Sequence, residues 1–180
     1  MSELLFNELP RPTFRWLRVN HTVSSLAGED TAVQSIAVEA NKDILSPLPV
    51  GTALLDGNYE GANKEAVHVL VEKAEGYAIN VPPKAKEVVG IRIDVNARVA
   101  NRFQFIVGEG AELEVQFYVT GSGDALTNVS YLNEYDVKEA GKVVVKKVNL
   151  LPEHVQHIEH RYTKLEEKAD VEYINIEIGG

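Results

Sequence analysis

Cysteine is absent from all 180 residues. That excludes disulfides, a cysteine nucleophile and any thiolate-bound zinc or iron–sulfur cluster within this stretch. Cations are the minority: 18 Lys and Arg stand against 27 Asp and Glu, a formal net charge of -9. Phosphate binding needs clustered Lys and Arg. The longest basic run is Lys146-Lys147, so nucleic acid is not an expected partner. No apolar run approaches the roughly eighteen residues of a membrane span. Met1 to Pro12 carries Glu3 and Glu8 and has no continuous apolar stretch, unlike a secretory leader. The expectation is a cytoplasmic protein that does not enter the membrane. The sequons at Asn20-His21-Thr22 and Asn128-Val129-Ser130 then read as chance matches. No Gly-x-Ser-x-Gly elbow occurs. Gly121-Ser122-Gly123-Asp124 lacks the Lys-Ser/Thr and following helix of a nucleotide-binding loop, so it reads as a plain turn. An enzyme is not expected.

What is present is an ordinary folded composition, 44% hydrophobic and 25% charged. Residues 1–76 read as an irregular, partly helical N-terminal segment with a loop. Phe14, Trp16, Leu17 and Val19 cluster after a stiff Leu9-Pro10-Arg11-Pro12 segment, and Pro and Gly punctuate residues 46–62. Asn63 is placed to cap a short helix through Ala66, Val67, Leu70 and Val71 to about Ala74, with Gly76 just past its end.

Residues 77–180 are strand-rich. Ile91, Ile93, Val95, Ala97 and Val99 alternate with polar residues, as do Leu113, Val115 and Phe117. Near the end Val171 and Tyr173 give way to Ile174, Ile176 and Ile178. Period-two alternation marks half-buried strands; Tyr173 and Ile176 are expected in or beside the core. One motif recurs: Val107, Glu109, Ala111 and Leu113 match Val137, Glu139, Gly141 and Val143, then Leu165, Glu167, Ala169 and Val171. A weaker copy starts at Val81 and includes Ala85. Recurrence at this period marks stacked units that bury their apolar faces on one another. The pattern predicts a β-solenoid, with Val107, Val137 and Leu165 equivalent on successive coils; an antiparallel sandwich is the alternative. The small residues at 85, 111, 141 and 169 are expected at tight corners. Val155, Ile158, Tyr162 and Leu165 follow helical spacing after Pro152, although an irregular strand fits as well.

The stretch from Tyr77 to Gly180 resembles the SufB/SufD family of iron–sulfur cluster assembly proteins. The residues that carry the resemblance are Ile79-Asn-Val81-Pro-Pro-Lys84, then Val99 to Val119 (VANRFQFIVGEGAELEVQFYV). Val148 to Leu151 follows, with the histidine-bearing segment to Arg161, and last Leu165 to Gly180 (LEEKADVEYINIEIGG). Asn7 to Asn20 is similar to the openings of shorter, SufD-like members. The resemblance implies a mainly β fold, a right-handed parallel β-helix, of which this chain would be an N-terminal portion continuing beyond residue 180. It implies a scaffold working with a SufC-type ABC ATPase and a SufB/SufD paralogue. The iron–sulfur cluster would belong to the complete complex, with no cofactor in this chain. It also favours an extended reading of residues 153–164. A β-helix carbohydrate-active enzyme and a generic β-rich interaction module are the alternatives.

Few residues invite a chemical role. His154, His157 and His160 are spaced three apart and are the candidate metal ligands, with Glu153 and Glu159 nearby; a strand would turn the middle one away. His68 reads as structural, and His21 has no partner in sequence. Glu109, Glu139 and Glu167 recur with the motif and read as turn residues, although paired carboxylates on neighbouring coils could act on a sugar. Phe14, Trp16 and Leu17 either cap an open solenoid end or dock a partner. Ile176 and Ile178 lie on an edge that would pair with a second copy, giving a homodimer, or be covered by the N-terminal segment.

Overall fold

The computed structural model describes residues 4–6, 22–24, 36–55, 59, 64–122 and 127–178. Two five-stranded sheets are built by one path that visits them in turn. The first sheet contains β5 (Gly76–Val81), β7 (Val99–Val107), β9 (Thr127–Val137) and β11 (Val155–Leu165). The second contains β6 (Lys86–Val95), β8 (Glu112–Gly121), β10 (Lys142–Leu150) and β12 (Asp170–Glu177). Within each sheet these four strands are parallel and stacked in sequence order, so the chain forms a β-solenoid of four coils. A separate antiparallel pair joins β1 (Leu4–Phe6) to β2 (Thr22–Ser24).

The coils are held in register at one corner. Residues 82–85, 108–111, 138–141 and 166–169 each close a turn in which the fourth N–H donates to the first carbonyl, at 3.2, 3.0, 2.9 and 3.1 Å. The third position is left-handed each time: Lys84 at φ 61°, Gly110 at 61°, Ala140 at 53° and Lys168 at 59°. A single positive φ at that place is the mark of a type II turn, and Pro83 occupies the preceding position that proline pre-sets. The ladder continues through the corner, since Lys84, Gly110 and Ala140 each donate 2.9 Å to the carbonyl of Glu109, Glu139 or Glu167 on the next coil. Coil-to-coil hydrogen bonding therefore passes through the bend.

The small residues stand at the corners, as expected. The left-handed residue sits one position before them, and Ala85, Ala111, Gly141 and Ala169 fill the inside of the corner. At Gly141 a Cβ would come within 2.9 Å of both the Lys138 oxygen and a Val137 methyl. Crowding, not backbone conformation, selects small side chains there. The expected equivalence of Val107, Val137 and Leu165 holds, and Val81 joins the same column. Residues 155–165 are strand, so the local helical spacing yields to ladder pairing along β9.

Alternation then decides what lies between the sheets. Ile79, Phe103, Phe105 and Tyr135 point in from the first sheet; Ile91, Ile93, Leu113, Val115, Phe117 and Val145 point in from the second. Phe105 stacks on Tyr135 of the next coil at 4.7 Å, and Phe117 meets Phe103 edge-on at 5.5 Å.

The N-terminal zone finishes one end of the stack. β3 (Ile36–Glu39) runs antiparallel on β6, and β4 (Leu45–Leu48) antiparallel on β5. Pro47 lies within β4, where its missing N–H suits an edge and discourages another strand. Residues 36–48 thus contribute strands to both sheets, which the reading of residues 1–76 as irregular and helical did not include. The expected helix is present as α1 (Lys64–Lys73); it lays Val67, Leu70 and Val71 over Ala100 and Leu132 on the outer face of the first sheet.

Two substitution sets check this account by thermal or denaturant melting. Ala140→Gly relieves a left-handed alanine and should raise stability by about 0.5–1 kcal/mol. Phe103→Ala, at a fully buried position, should cost about 3–5 kcal/mol.

Candidate functional site

Two polar networks are buried against the coils, and they differ in position. One lies outside the first sheet, under α1. Arg102 is fully buried and donates to four backbone carbonyls: Ala74 at 3.1 Å, Thr52 at 2.6 Å, Val71 at 3.3 Å and Pro49 at 2.9 Å. A cation among the free carbonyls at a helix C-terminus is favourable on both charge and hydrogen-bond grounds. Glu134, also fully buried, accepts from the Tyr59 hydroxyl, the Leu54 N–H at 3.1 Å and the Gln104 amide at 2.9 Å. These bonds tie residues 49–59 and α1 onto the sheet. Gly76 is required beside them, because a Cβ there would fall on the Arg102 carbonyl oxygen. Every strong partner is used internally, so this network is structural.

The second network lies inside the solenoid, at its last coil, and is the candidate site. Ladder register shows the change in character. On the second sheet Ile91 and Phe117 are followed by Lys147 and Asn175, while Ile93 and Val119 are followed by Asn149 and Glu177. On the first sheet Phe103 and Asn133 are followed by Arg161, while Asn101 and Tyr131 are followed by Glu159. Lys147 bridges Glu159 at 2.8 Å and Glu177 at 2.6 Å with a side chain only 3% exposed. Arg161 engages both oxygens of Glu159, and the Asn133 amide donates to the same carboxylate at 2.8 Å. Arg161 also lies 4.8 Å above the Tyr173 ring, whose hydroxyl meets Thr163 at 3.2 Å.

Burial alone would raise the Glu159 carboxyl, but the Arg161 hydrogen bonds and the Lys147 charge outweigh it and hold it at about 2. His157 is pushed down from its ordinary value, first by burial and then by Lys147. Its Nδ1 lies 3.1 Å from the Asn149 amide nitrogen and its Nε2 lies 3.0 Å from the Tyr131 hydroxyl. Two cations and two carboxylates neutralise one another here, so the site has no surplus charge for an ionic ligand. What it can do is hold the last coil together by polar pairing and respond to protons.

The expected site residues separate. His157 points into the coil and His160 lies on the opposite face of β11, at the level of Leu132, while His154 sits in the turn before the strand. Among the described residues, no group of three His, Asp or Glu side chains is arranged to hold a metal. His68 is exposed on α1, with its ring 6.3 Å from that of Tyr59. Glu109, Glu139 and Glu167 are exposed turn residues whose carbonyls serve the corner ladder. His21, Phe14, Trp16, Leu17, Val19, Asn63, residues 123–126 and Gly179-Gly180 lie outside the described residues.

Ile176 corrects its expected place. β12 pairs with β10 without interruption from Asp170 to Glu177, so the phase set by Val171 and Tyr173 continues inward as Asn175 and Glu177. Ile174, Ile176 and Ile178 therefore face out, at 44%, 51% and 61% exposure. By register they adjoin exposed Tyr118 and Leu150 and half-buried Val148 on the outer face of the second sheet. The functional side chains missed in sequence, Lys147, Asn149 and Glu177, occupy inward phase positions; the run Val143-Val144-Val145 hides that phase. Among the described residues no helix is long and apolar enough to cross a membrane. No family model matches the chain, and no curated protein or solved structure matches it either.

Removing one partner from a buried pair strands the other. Lys147→Ala should cost about 3 kcal/mol by denaturant melting, whereas Lys146→Ala, on the exposed face, should cost less than about 1 kcal/mol. A pH series tests His160, which burial pushes down to about 4. The unfolded chain takes up that proton near pH 6.5, so the stability this neutral ring contributes is complete above that pH. It is lost as pH falls toward 4, amounting to up to roughly 3 kcal/mol. His160→Phe should flatten that part of the stability–pH curve.

Proposed function

We propose that the chain is a scaffold component of SUF-type iron–sulfur cluster assembly, working in the cytoplasm with a SufC-type ABC ATPase and a SufB/SufD paralogue. One coincidence carries this reading. The run from Tyr77 to Gly180 that resembles the SufB/SufD family spans β5 to β12, and those strands make one in-register parallel solenoid, the architecture the resemblance implies. A rigid stack with regular outer faces suits holding partners in fixed relation. The cluster belongs, in this reading, to the complete complex, because its usual thiolate ligands are missing from these 180 residues.

The surface offered to the paralogue is the apolar strip of Tyr118, Leu150, Ile174, Ile176 and Ile178. Contiguous exposed apolar side chains of this kind mark interaction sites. Since Ile176 is on the outer face, its replacement should leave the coil packing intact.

Ile176→Lys should reduce the paralogue complex severalfold in co-purification and size-exclusion light scattering, with stability within about 0.5 kcal/mol of the parent. A complex that forms unchanged with the variant removes this face from the proposal. A homodimer lost in the same variant would identify a second copy as the occupant. Anaerobic reconstitution of residues 1–180 alone should yield no stoichiometric iron and sulfide, and tight binding of the ATPase should need a longer protein. A stoichiometric cluster on this chain would overturn the assignment of cluster ligands to the rest of the complex.

A further inference from the structure

The interior of the last coil contains one histidine with both ring nitrogens engaged. His157 meets the Asn149 amide nitrogen through Nδ1 at 3.1 Å and the Tyr131 hydroxyl through Nε2 at 3.0 Å. The same Asn149 nitrogen donates to Glu177 at 2.6 Å. That carboxylate fixes the amide orientation: nitrogen must face Glu177, and therefore also His157. Nδ1 must then accept, so the ring is neutral and its proton is on Nε2, donated to Tyr131. The other end of the Asn149 amide, Oδ1, is buried and has no hydrogen-bond partner among the described residues.

A proton added at Nδ1 would set two donors against each other. The amide can relieve this by turning over, bringing its unpartnered Oδ1 to the imidazolium. That turn places the same oxygen against the Glu177 carboxylate, and the hydrogen bond from Asn149 on β10 to Glu177 on β12 is lost. We propose that this arrangement is a proton-operated latch: protonation of His157 turns the Asn149 amide, leaves Glu177 held to β10 by Lys147 alone and lets β12 loosen from β10.

The charges facing His157 favour such a device. From β10 Lys147 opposes the imidazolium; from β11 Glu159 favours it and Arg161 opposes it; from β12 Glu177 favours it; Tyr131 on β9 is neutral. With Glu159 already committed to Arg161 and Lys147, burial and Lys147 dominate and keep the ring neutral in the closed coil. Opening returns the ring to water, where it binds a proton near pH 6.5. By linkage, acid favours the open form and the closed form is complete above that pH. β12 is also anchored on the core by Val171 and Tyr173 in its first half only; in its second half Asn175 and Glu177 replace the Phe117 and Val119 found two coils below. It is thus the strand able to open alone.

Amide hydrogen exchange of the full chain, corrected for the intrinsic pH effect, tests the latch. Between pH 7.5 and 5.5 the protection of amides along β12 should fall severalfold more than that of β8, whose change reports global stability alone. His157→Gln should remove the difference between the two strands, and His160→Phe should leave it. Nitrogen-15 spectra of the parent should show Nε2–H neutral His157 at pH 7.5 and movement of the Asn149 side-chain amide resonances together with the His157 titration. Equal loss on β8 and β12, persistence of the β12 loss in His157→Gln, or an Asn149 amide indifferent to the His157 titration would each overturn the proposal. The spectra need no variant, so a substitution that fails to fold does not spare it.

Discussion

The corner turn is the constraint on which the remaining structure depends. Four times the chain reverses through a left-handed residue, at 84, 110, 140 and 168, and at the first three of these the backbone continues its hydrogen bonding to the next coil across the bend. Because the corner carries its own ladder, no coil can slip relative to its neighbours without breaking the turn. In a sheet a one-residue slip would exchange every inward side chain for an outward one. Fixing the register at one corner therefore decides the content of the whole interior, from the aromatic contacts of the middle coils to the charges of the last.

Within that register the interior is graded. It begins apolar, beneath antiparallel strands that close the first end, and becomes polar at Lys147, Asn149, His157, Glu159, Arg161 and Glu177. Burying Lys147 and Glu159 is costly by desolvation, and it persists here because each finds its opposite within hydrogen-bond distance, with the more exposed Arg161 and Glu177 completing the pairs. Apolar burial cements the lower coils whatever the pH, whereas pairing of this sort can be undone by a proton. The outer network of Arg102 and Glu134 has another task. It receives the carbonyls and donors of an irregular loop that would otherwise be buried without partners, and so attaches the N-terminal zone to the solenoid.

Much of this was legible along the chain. The recurring Val–x–Glu–x–small motif located the corners, and the positions Val107, Val137 and Leu165 are neighbours in space because a corner repeats with the coil. The helix over residues 64–73 was legible from its apolar spacing and from Gly76. The polar interior was much less so. Nothing in the local pattern of Lys146-Lys147 says that one lysine is exposed and the other nearly dry; that follows only when β10 is laid between β8 and β12.

Alternation, turn residues and the recurrence of one short motif determined that this protein is built of strands stacked in coils, since those signals arise from backbone geometry over a few residues. Tertiary structure alone decided the faces at both ambiguous places. Residues 155–165 had helical spacing and became a strand because β9 offered an unpaired ladder. The isoleucines of β12 had the pattern of a core and came to lie outside, because their phase was inherited from β10 and from the corner at Lys168. A side chain's face belongs to the register, and the register belongs to hydrogen bonds between residues about thirty positions apart, beyond the reach of any local pattern.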